Sequence, residues 1–437
     1  MEGWRVFFRR IGVPMLLASL VAAACNPLTE SAPKAGADIV IGVPNSATGS
    51  LSAEGGLSKQ GYDLWLDWAN RDGGILVKGV RHKVQLVYAD DQSEPTNSAQ
   101  LAESMITDQK VQFLLSPYGS STTAAVAPVA EQHHIPHMSS NSADRNLFLK
   151  GLRYTFGIMA PADRYVQTVE DWEVTLNPKP KTMAILTADD LASLYITQQA
   201  VNYGQTKGLQ TIAVIKYPAG TTNLYTLMQQ VKPKNPDILF NSGHFLEAVA
   251  AHKAAKDLGL DSKIFIYSVG PTQPEFTQAL GSVADFVIAA APWTAQAKFR
   301  ADYGPSIVDY VQSYRQKFHT QNEPTFITAD ATAAGLALQL AIEHAQSLDP
   351  AKVRDALAAL DSNTFYGRIK FDAQGENTYH NALIMQIQDG QRQTIFPPEL
   401  ASAEPRYPAP TWETRFGIAA QPPKAKLPGT GQPPSRR

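Results

Sequence analysis

Short apolar runs alternate with amphipathic segments along most of this chain. Runs of the length of a buried strand come first at 39–43, 84–90, 111–116 and 135–140. The segments between them carry apolar residues at the three- and four-residue spacing of a helix face. The same alternation restarts at 183–190, 211–217, 237–243, 263–269 and 285–291. Strands that alternate with helices form parallel sheets with right-handed crossovers, so the pattern predicts two α/β lobes.

The last third of the chain has a different pattern. Helical periodicity covers 303–320, 328–346 and 350–360. Residues 365–391 then alternate like strands, and Asp389-Gly390 is typical of a two-residue hairpin turn. Residues 397–437 contain ten prolines and little periodicity, which predicts a Pro-rich disordered tail.

The N-terminus has the pattern of an export signal. Three arginines lie among the first ten residues, and an apolar segment follows that ends in three alanines and Cys25. This pattern predicts a signal peptide over residues 1–24. A cysteine directly after small residues resembles a bacterial lipobox, although Ala22 stands where leucine is usual, so we expect lipidation of Cys25. The alternative is a plain signal peptide with an incidental cysteine. Residues 26–36 suit a tether, and both alternatives place the mature protein outside the cytoplasm.

Composition excludes several classes of protein and site. The 437 residues are ample for two lobes, and a formal net charge of −2 gives no electrostatic footprint for nucleic acid. The single cysteine excludes an intrachain disulfide and a cysteine-rich metal site. His133, His134 and His137 flank a helix-breaking Pro136, and no carboxylate completes a ligand set, so we expect no metal there. Neither nucleotide-binding glycine motif is present, so we expect no cofactor.

Four hydroxyl residues follow the strand predicted at 111–116, at Ser120, Ser121, Thr122 and Thr123. One interpretation is a nucleophile at Ser120, but the hydrolase motif G-x-S-x-G lacks its second glycine, and no spacing connects His244 to it. The other interpretation is a cradle of donors in the first turn of a helix, where free N–H groups and the helix dipole favour an anion. Residues 139–141 follow the next strand, at the same edge of a parallel sheet. The cradle predicts a pocket for a carboxylate or carbonyl oxygen.

Seven further stretches have a recognisable order along the chain: IGVPNSATGSLSAEGG, GYDLWLDWANRDGGI, VYADDQSEPTNSAQ, LLSPYGSSTTAAVAPVAE, KYPAGTTNLYTLMQQVKPKNPDILFNSGH, AAKDLGL and FYGRIKFDAQG. Together they resemble the extracytoplasmic solute-binding proteins of branched-chain amino acid and amide uptake systems, the receptors that feed ABC importers. The resemblance implies the type I periplasmic-binding fold, with two Rossmann-like α/β lobes, a ligand cleft and a hinge of three crossovers. It implies lobe I at 37–156 and 293–361, and lobe II at 157–292 and 362–396.

The resemblance also implies ligand contacts. In lobe I they are Tyr118, Ser120, Ser121, Asn141 and Ser142. Ser120 takes the position of the hydroxyl that anchors a ligand carboxylate, and Ala143 stands where a threonine is expected. In lobe II the implied contacts are Ala192, His244, Phe245 and Val269. Amino-acid binders carry an acid at the position of Val269, because a buried ammonium without a partner costs several kcal/mol.

Glu54 is the one acid that the sequence offers in place of that partner. If Glu54 stays at the rim of the cleft, the pocket suits a neutral or anionic solute, such as an amide or a small aromatic acid, packed against Tyr118, Ala192 and Phe245. If Glu54 turns inward, a cationic or amino-bearing solute fits. We favour the first alternative.

The resemblance therefore implies a monomeric receptor that closes on a small solute and delivers it to the permease of an ABC importer, without chemistry on the solute. Two alternatives come from other classes of protein. One is an extracellular serine hydrolase that uses Ser120, and the other is an accessory protein that senses a ligand.

Overall fold

The structure is a computed structural model that describes residues 34–379 and 382–417. Three of the sequence predictions lie wholly or partly outside these residues: the signal peptide at 1–24, the lipidation site at Cys25, and the tether over residues 26–33. The predicted tail lies outside them from residue 418 onward.

Strands and helices alternate, as the apolar runs predict. The strands are β1 (Lys34–Ala35), β2 (Ile39–Asn45), β3 (Ile75–Val77), β4 (Val80–His82), β5 (Val84–Asp90), β6 (Phe113–Leu115), β7 (His137–Ser139), β8 (Thr155–Gly157), β9 (Thr182–Ala188), β10 (Gln210–Tyr217), β11 (Ile238–Ser242), β12 (Ile264–Tyr267), β13 (Val287–Ala291), β14 (Asp361–Thr364), β15 (Gly367–Lys370), β16 (Leu383–Gln388) and β17 (Gln391–Phe396).

The α-helices lie between and after these strands. They are α1 (Ser52–Asn70), α2 (Pro95–Thr107), α3 (Ser120–Gln132), α4 (Ala162–Glu173), α5 (Leu191–Thr206), α6 (Tyr225–Val231), α7 (Phe245–Leu258), α8 (Pro274–Leu280), α9 (Ile307–Phe318), α10 (Phe326–Ala345), α11 (Pro350–Ala358) and α12 (Trp412–Phe416). Short 3₁₀ turns cover Arg145–Lys150, Lys232–Lys234, Gly281–Ala284 and Pro398–Leu400.

Lobe I is built on a parallel sheet with the strand order β5-β2-β6-β7-β8. Helices cover both faces, which is why its strands read as near-continuous apolar runs. Ile39 and Ile41 of β2 pack with α1 and α10 on one face. Leu114 of β6 packs with α2 and α3 on the other. The strand predicted at 135–140 is confirmed as β7.

The pair α1 and α10 forms the centre of lobe I. A Cβ on Gly61 would lie 2.2 Å from the Thr328 carbonyl oxygen, and one on Gly335 would lie 2.2 Å from Trp65. These two glycines let the helices approach closely. Among the described residues, one helix, α10, is long and apolar enough to cross a membrane. However, 89% of its apolar stretch is buried inside the protein.

Lobe II is built on a larger sheet with the order β10-β9-β11-β12-β13-β16-β17. The strands from β10 to β13 are parallel, and β16 and β17 are antiparallel. Asp389 and Gly390 join β16 to β17 with φ of 52° and 73°, the positive values that a type I′ turn requires. The hairpin predicted from Asp389-Gly390 is therefore confirmed.

The third crossover between the lobes lies later than predicted. Lobe II was expected to resume at residue 362, but Phe365 stacks on Tyr310, with ring centroids 4.1 Å apart. Phe365, Ile369 and Phe371 belong to the core that contains β2 and α10. The chain returns to the lobe II sheet at Leu383. The strand pattern of residues 365–371 does not reveal which of two cores they join, because either core would bury the same apolar residues.

The predicted disorder of the tail is wrong for residues 397–417. Trp412 is 1% exposed, and its indole N–H donates to the Leu260 carbonyl oxygen at 2.8 Å. The backbone N–H of Ala409 donates to the Lys263 carbonyl oxygen at 2.9 Å. This extended segment needs no periodicity of its own, because contacts with lobe II order it.

Candidate functional site

A cavity lies between the two lobes at the carboxyl ends of their strands. The space between its walls, counted together with the open solvent at its mouth, is about 960 Å³. Lobe I contributes the turn before α3 and the loop after β7, with Tyr118, Gly119, Asn141 and Ala143. Lobe II contributes the first residues of α5 and the loops after β11 and β12, with Ala192, Ser193, His244 and Val269. Parallel α/β sheets bind ligands at this edge, so the cavity is the candidate binding site.

The hydroxyl of Ser120 holds the lobe I wall together. Gly119 has φ of 98°, which turns the chain from β6 into α3. The Oγ of Ser120 accepts hydrogen bonds from the backbone N–H groups of Ala143 (3.0 Å) and Asp144 (3.2 Å), and from the Oγ of Ser142 (3.3 Å). Neither serine is among the residues that line the cavity. No base is hydrogen-bonded to Ser120 within the described chain, so the geometry gives no support to a nucleophilic serine.

Asn141 does line the cavity, and its side chain is tied into lobe I. Its Nδ2 donates to Oδ2 of Asp330 at 2.9 Å. Its Oδ1 accepts from the hydroxyls of Ser58 and Ser140, both at 3.0 Å. Burial raises the pKa of Asp330 well above its usual range. The sequence analysis missed Asp330, because an acid inside an apolar helix has no local signal that distinguishes a core position from a site.

Side-chain hydrogen bonds at the starts of lobe II helices join the lobes across the cleft. The Oγ of Ser121 accepts from the Leu191 N–H at 3.2 Å. The Oε1 of Glu54 accepts from the Phe245 N–H at 2.8 Å. The hydroxyl of Tyr118 lies 3.4 Å from Nδ1 of His244. Each bond pairs a lobe I side chain with the start of a lobe II helix, so the structure has a closed cleft.

Glu54 follows neither of the two expected alternatives. It is 0% exposed, so it is not at the rim, and it is not among the residues that line the cavity. Burial raises the pKa of Glu54, and the neighbouring His244 opposes this shift. Its Oε1 accepts a hydrogen bond from the first N–H of α7, where the helix dipole stabilises a carboxylate.

His244 is a buried cation at the cleft. Its Nε2 lies 3.3 Å from Oδ2 of Asp190, the residue that caps α5. Burial alone would lower the pKa of His244, but Asp190, Glu54 and Glu247 outweigh it and raise the pKa to about 10. The imidazolium ring is therefore neutralised by the protein's own acids.

Of the other ligand contacts expected in lobe II, two line the cavity and one does not. Ala192 and Val269 line the cavity, and their side chains add apolar surface. The ring of Phe245 packs against the lobe II core and is not among the lining residues. No acid stands at the position of Val269, so this end of the cavity offers no partner for an ammonium group.

The sequence analysis missed a second part of the cavity, which runs along α4 into lobe II. Its lining residues recur on one helix face: Ala162, Tyr165, Val166, Val169, Glu170 and Glu173. Met183, Ile196, Ala200, Phe240 and Ile266 close it from the other side. We call this part the α4 arm. The signal in the sequence is the acid pair of EDWE (170–173), spaced three residues apart on the face that Val166 and Val169 make apolar.

Glu170 and Glu173 are 4% and 2% exposed. Among the described residues, neither carboxyl oxygen of Glu170 has a hydrogen-bond partner, nor does Oε1 of Glu173. Burial, with a contribution from Glu173, raises the pKa of Glu170 to about 9. Burial raises the pKa of Glu173 to about 8. Both side chains are therefore neutral acids at pH 7.

The three histidines of the candidate metal motif do not share a site. His133 bonds to Glu103 at 2.9 Å, and the ring of His134 contacts that of Tyr154. His137 is buried in β7. In the part of the chain that the structure describes, no group of three or more His, Cys, Asp or Glu side chains could hold a metal ion.

Comparison with known proteins agrees with this geometry. Residues 38–392 match the family described as periplasmic binding protein. Leu/Ile/Val-binding protein homolog 8 of Brucella abortus (strain 2308) is 23% identical over 388 residues, which cover 85% of this chain and 93% of that protein. The substrate binding protein LivJ of Streptococcus pneumoniae, solved in complex with isoleucine, has a TM-score of 0.71 and 23% identity. That match covers 85% of this chain and all of LivJ.

A second solved structure is the solute binding protein of an ABC transporter from Rhodopseudomonas palustris BisB5, in complex with 3,4-dihydroxy benzoic acid. Its TM-score is 0.71 at 18% identity, and the match covers 82% of this chain and 95% of that one. The predicted type I periplasmic-binding fold is confirmed by these likenesses, by the two sheets and by the matched family. The family match covers most of the chain, and the chain belongs to the periplasmic binding protein family.

Proposed function

We propose that this protein is an extracytoplasmic receptor that captures a small organic solute by cleft closure and delivers it to the permease of an ABC importer. The observation that carries the proposal is the cavity between the lobes, with walls from both and hydrogen bonds across its mouth. A solute that contacts both walls stabilises the closed form over the open form, because only the closed form provides all of its contacts.

The lining supports a solute with a large apolar part and a polar head. The side chains around Val269 are mostly apolar, and the cation His244 is already neutralised by its own acids. Tyr165 of α4 also lines the cavity. With Asn141 it forms the polar end of the pocket. An amino acid, an amide or a small aromatic acid could place its polar head there.

The relatives support the same class of solute. The LivJ structure holds isoleucine, and the structure from Rhodopseudomonas palustris holds 3,4-dihydroxy benzoic acid. Both combine a polar head with an apolar body. In this proposal Ser120, Ser121 and Ser142 are positioning residues, because their hydrogen bonds shape the walls and join the lobes. Acylation of Cys25 would hold the receptor at the membrane beside its permease.

The test is a solute panel of amino acids, simple amides, aromatic carboxylates and ω-substituted acids. We expect at least one member to raise the melting temperature and to reduce the radius of gyration in X-ray scattering. A ligand at 100-fold its Kd adds about 2.7 kcal/mol to the free energy of unfolding. A panel in which no solute changes either measurement would contradict the proposal, as would turnover of an ester or amide that Ser120→Ala abolishes.

A further inference from the structure

The α4 arm extends the cavity far beyond the mouth of the cleft. Its lining on α4 begins at Ala162 and ends at Glu173. At 1.5 Å per residue, these positions are separated by roughly 16 Å along the helix axis. An amino acid as small as isoleucine is much shorter than this distance. The arm therefore suits an elongated chain rather than a compact side chain.

The far end of the arm holds the pair Glu170 and Glu173. They lie on the same face of α4, where residues three apart have Cβ atoms about 5–6 Å apart. Both are more than nine-tenths buried, and both line the cavity. Partners for three of their four oxygens are lacking among the described residues. Native structures seldom leave buried polar atoms unsatisfied, and each such atom needs an explanation.

No cation of the described chain neutralises this pair. The titratable groups that face it are Asp171 on α4, Lys207 after α5, and Tyr407 on the C-terminal segment. Lys207 is already paired, since its Nζ lies 2.6 Å from Oδ1 of Asp171. Gly204 of α5 packs against Glu170, because a Cβ there would lie 3.2 Å from Oε1 of Glu170. Both acids line the cavity, so their carboxyl groups face a space that a ligand group can enter.

We propose that the α4 arm is a subsite for an alkylammonium group, which Glu170 and Glu173 bind together at its far end. This inference rests on the proposed function, since the ligand enters through the same cleft. An ammonium group is the complement of two adjacent carboxyl groups, and its apolar chain matches the valine and isoleucine walls. The bound solute would then carry its polar head in the cleft and its amine at Glu170 and Glu173.

Binding of an ammonium group changes the number of protons that the pair carries. In the empty arm both acids are neutral at pH 7, because an isolated buried carboxylate is costly. An incoming ammonium pairs with one carboxylate, whose proton leaves to solvent, and the second acid stays protonated as a hydrogen-bond donor. Binding therefore releases one proton near pH 7. Affinity should rise about tenfold per pH unit while the pair is protonated and level off near pH 8.

The experiment uses the full-length protein and acids that differ only in their terminal group. We would titrate 6-aminohexanoic, 8-aminooctanoic and 11-aminoundecanoic acids by calorimetry, and their ω-hydroxy counterparts as matched ligands. For at least one chain length we expect the amine to bind at least tenfold more tightly, with about one proton released. Calorimetry in buffers of different ionisation enthalpy measures that proton.

Variants of the pair test its role directly. Glu170→Gln with Glu173→Gln should remove the preference for the amine and the proton release, while binding of the hydroxy acid persists. Asp257→Asn is the control, because it removes an exposed acid from α7 and leaves the pairing of Lys207 with Asp171 intact. It should retain the preference.

Two results would overturn the alkylammonium subsite. One is equal affinity for the amino and hydroxy acids at every length, and the other is a preference that survives in the double variant. In either case, closure by any other panel solute in X-ray scattering would leave the receptor function standing. Failure of every solute to close the cleft would instead contradict the receptor function itself.

Discussion

The lobe I wall of the cavity satisfies most of its polar groups internally, whereas three carboxyl oxygens of the lobe II wall have no hydrogen-bond partner among the described residues. In lobe I, the hydrogen bonds of Ser120 and Asn141 go to neighbouring loops and helices. In lobe II, Glu170 and Glu173 face an apolar arm of the cavity. A polar group that is already bonded gives rigidity, and one without a partner is free to select a ligand. The comparison therefore supports a structural role for the lobe I groups and is consistent with the ligand subsite proposed for lobe II.

The largest expected effect is on the lobe I network. Asn141→Leu removes the donor to Oδ2 of Asp330 and the acceptor for the Ser58 and Ser140 hydroxyls. Ser140 keeps its bond with the Tyr62 hydroxyl, but the buried Ser58 hydroxyl and Oδ2 of Asp330 lose these partners. We expect the free energy of unfolding to fall by about 3 kcal/mol, measured as a shift of the urea midpoint. Asn202→Leu on the exposed face of α5 is the control and should change it by less than about 0.5 kcal/mol. Equal effects would contradict an architectural role for Asn141.

The second prediction concerns how the free energy of unfolding depends on pH through the two acids of the lobe II wall. Folding raises the pKa values of Glu170 and Glu173 from 4.5 to about 9 and about 8, so the folded state binds more protons than the unfolded state. Their contribution to stability is complete below about pH 4.5 and is lost as the pH rises through 8 and 9. The double glutamine variant does not titrate there, and at pH 9 it should be more stable than the wild type by about 2 kcal/mol or more. Parallel melting-temperature curves from pH 5 to pH 9 would contradict the burial of these acids.

The third prediction distinguishes a structural role of Ser120 in the lobe I wall from a role as the ligand anchor. Ser120→Ala leaves the N–H groups of Ala143 and Asp144 without their acceptor. We expect a loss of about 1–2 kcal/mol in the free energy of unfolding and a change in solute affinity of less than about threefold, roughly 0.7 kcal/mol. Chemical unfolding and calorimetry measure these two quantities. A large loss of affinity without a loss of stability would instead make Ser120 the ligand anchor that the family resemblance implies.

The smallest effects concern the contacts that close the cleft. Glu54→Ala removes the acceptor for the Phe245 N–H and one acid beside His244. Solute affinity should fall about fivefold to tenfold, which is roughly 1–1.4 kcal/mol. Ser121→Ala removes one neutral hydrogen bond to the Leu191 N–H, and we expect about a twofold loss, roughly 0.4 kcal/mol. Calorimetry measures both, and an equal loss in the two variants would show that Glu54 contributes no more to closure than the neutral hydrogen bond of Ser121.

Much of the fold could be predicted because its signals are local. The apolar runs mark four of the five strands of the lobe I sheet and the parallel strands β9 to β13 of lobe II, and Asp389-Gly390 marks the hairpin between β16 and β17. A helix begins at Ser120 because Gly119, with its positive φ, provides the turn that leads into it. Residues 365–371 and Trp412 could not be placed in the same way. Their positions depend on which distant core surface buries them, and neither periodicity nor composition encodes that choice.

The same distinction between local signals and contacts with distant residues applies to the candidate site. The sequence by itself determined the fold class, the family resemblance, and the edge of each sheet where the cavity lies, because the ends of strands and the starts of helices follow from nearby residues. Only the tertiary structure decided that Ser120 bonds to a neighbouring loop, that Glu54 joins the lobes, and that Glu170 and Glu173 line a cavity. A side chain's role depends on which groups surround it after folding. For these residues the surrounding groups come from parts of the chain far away in sequence.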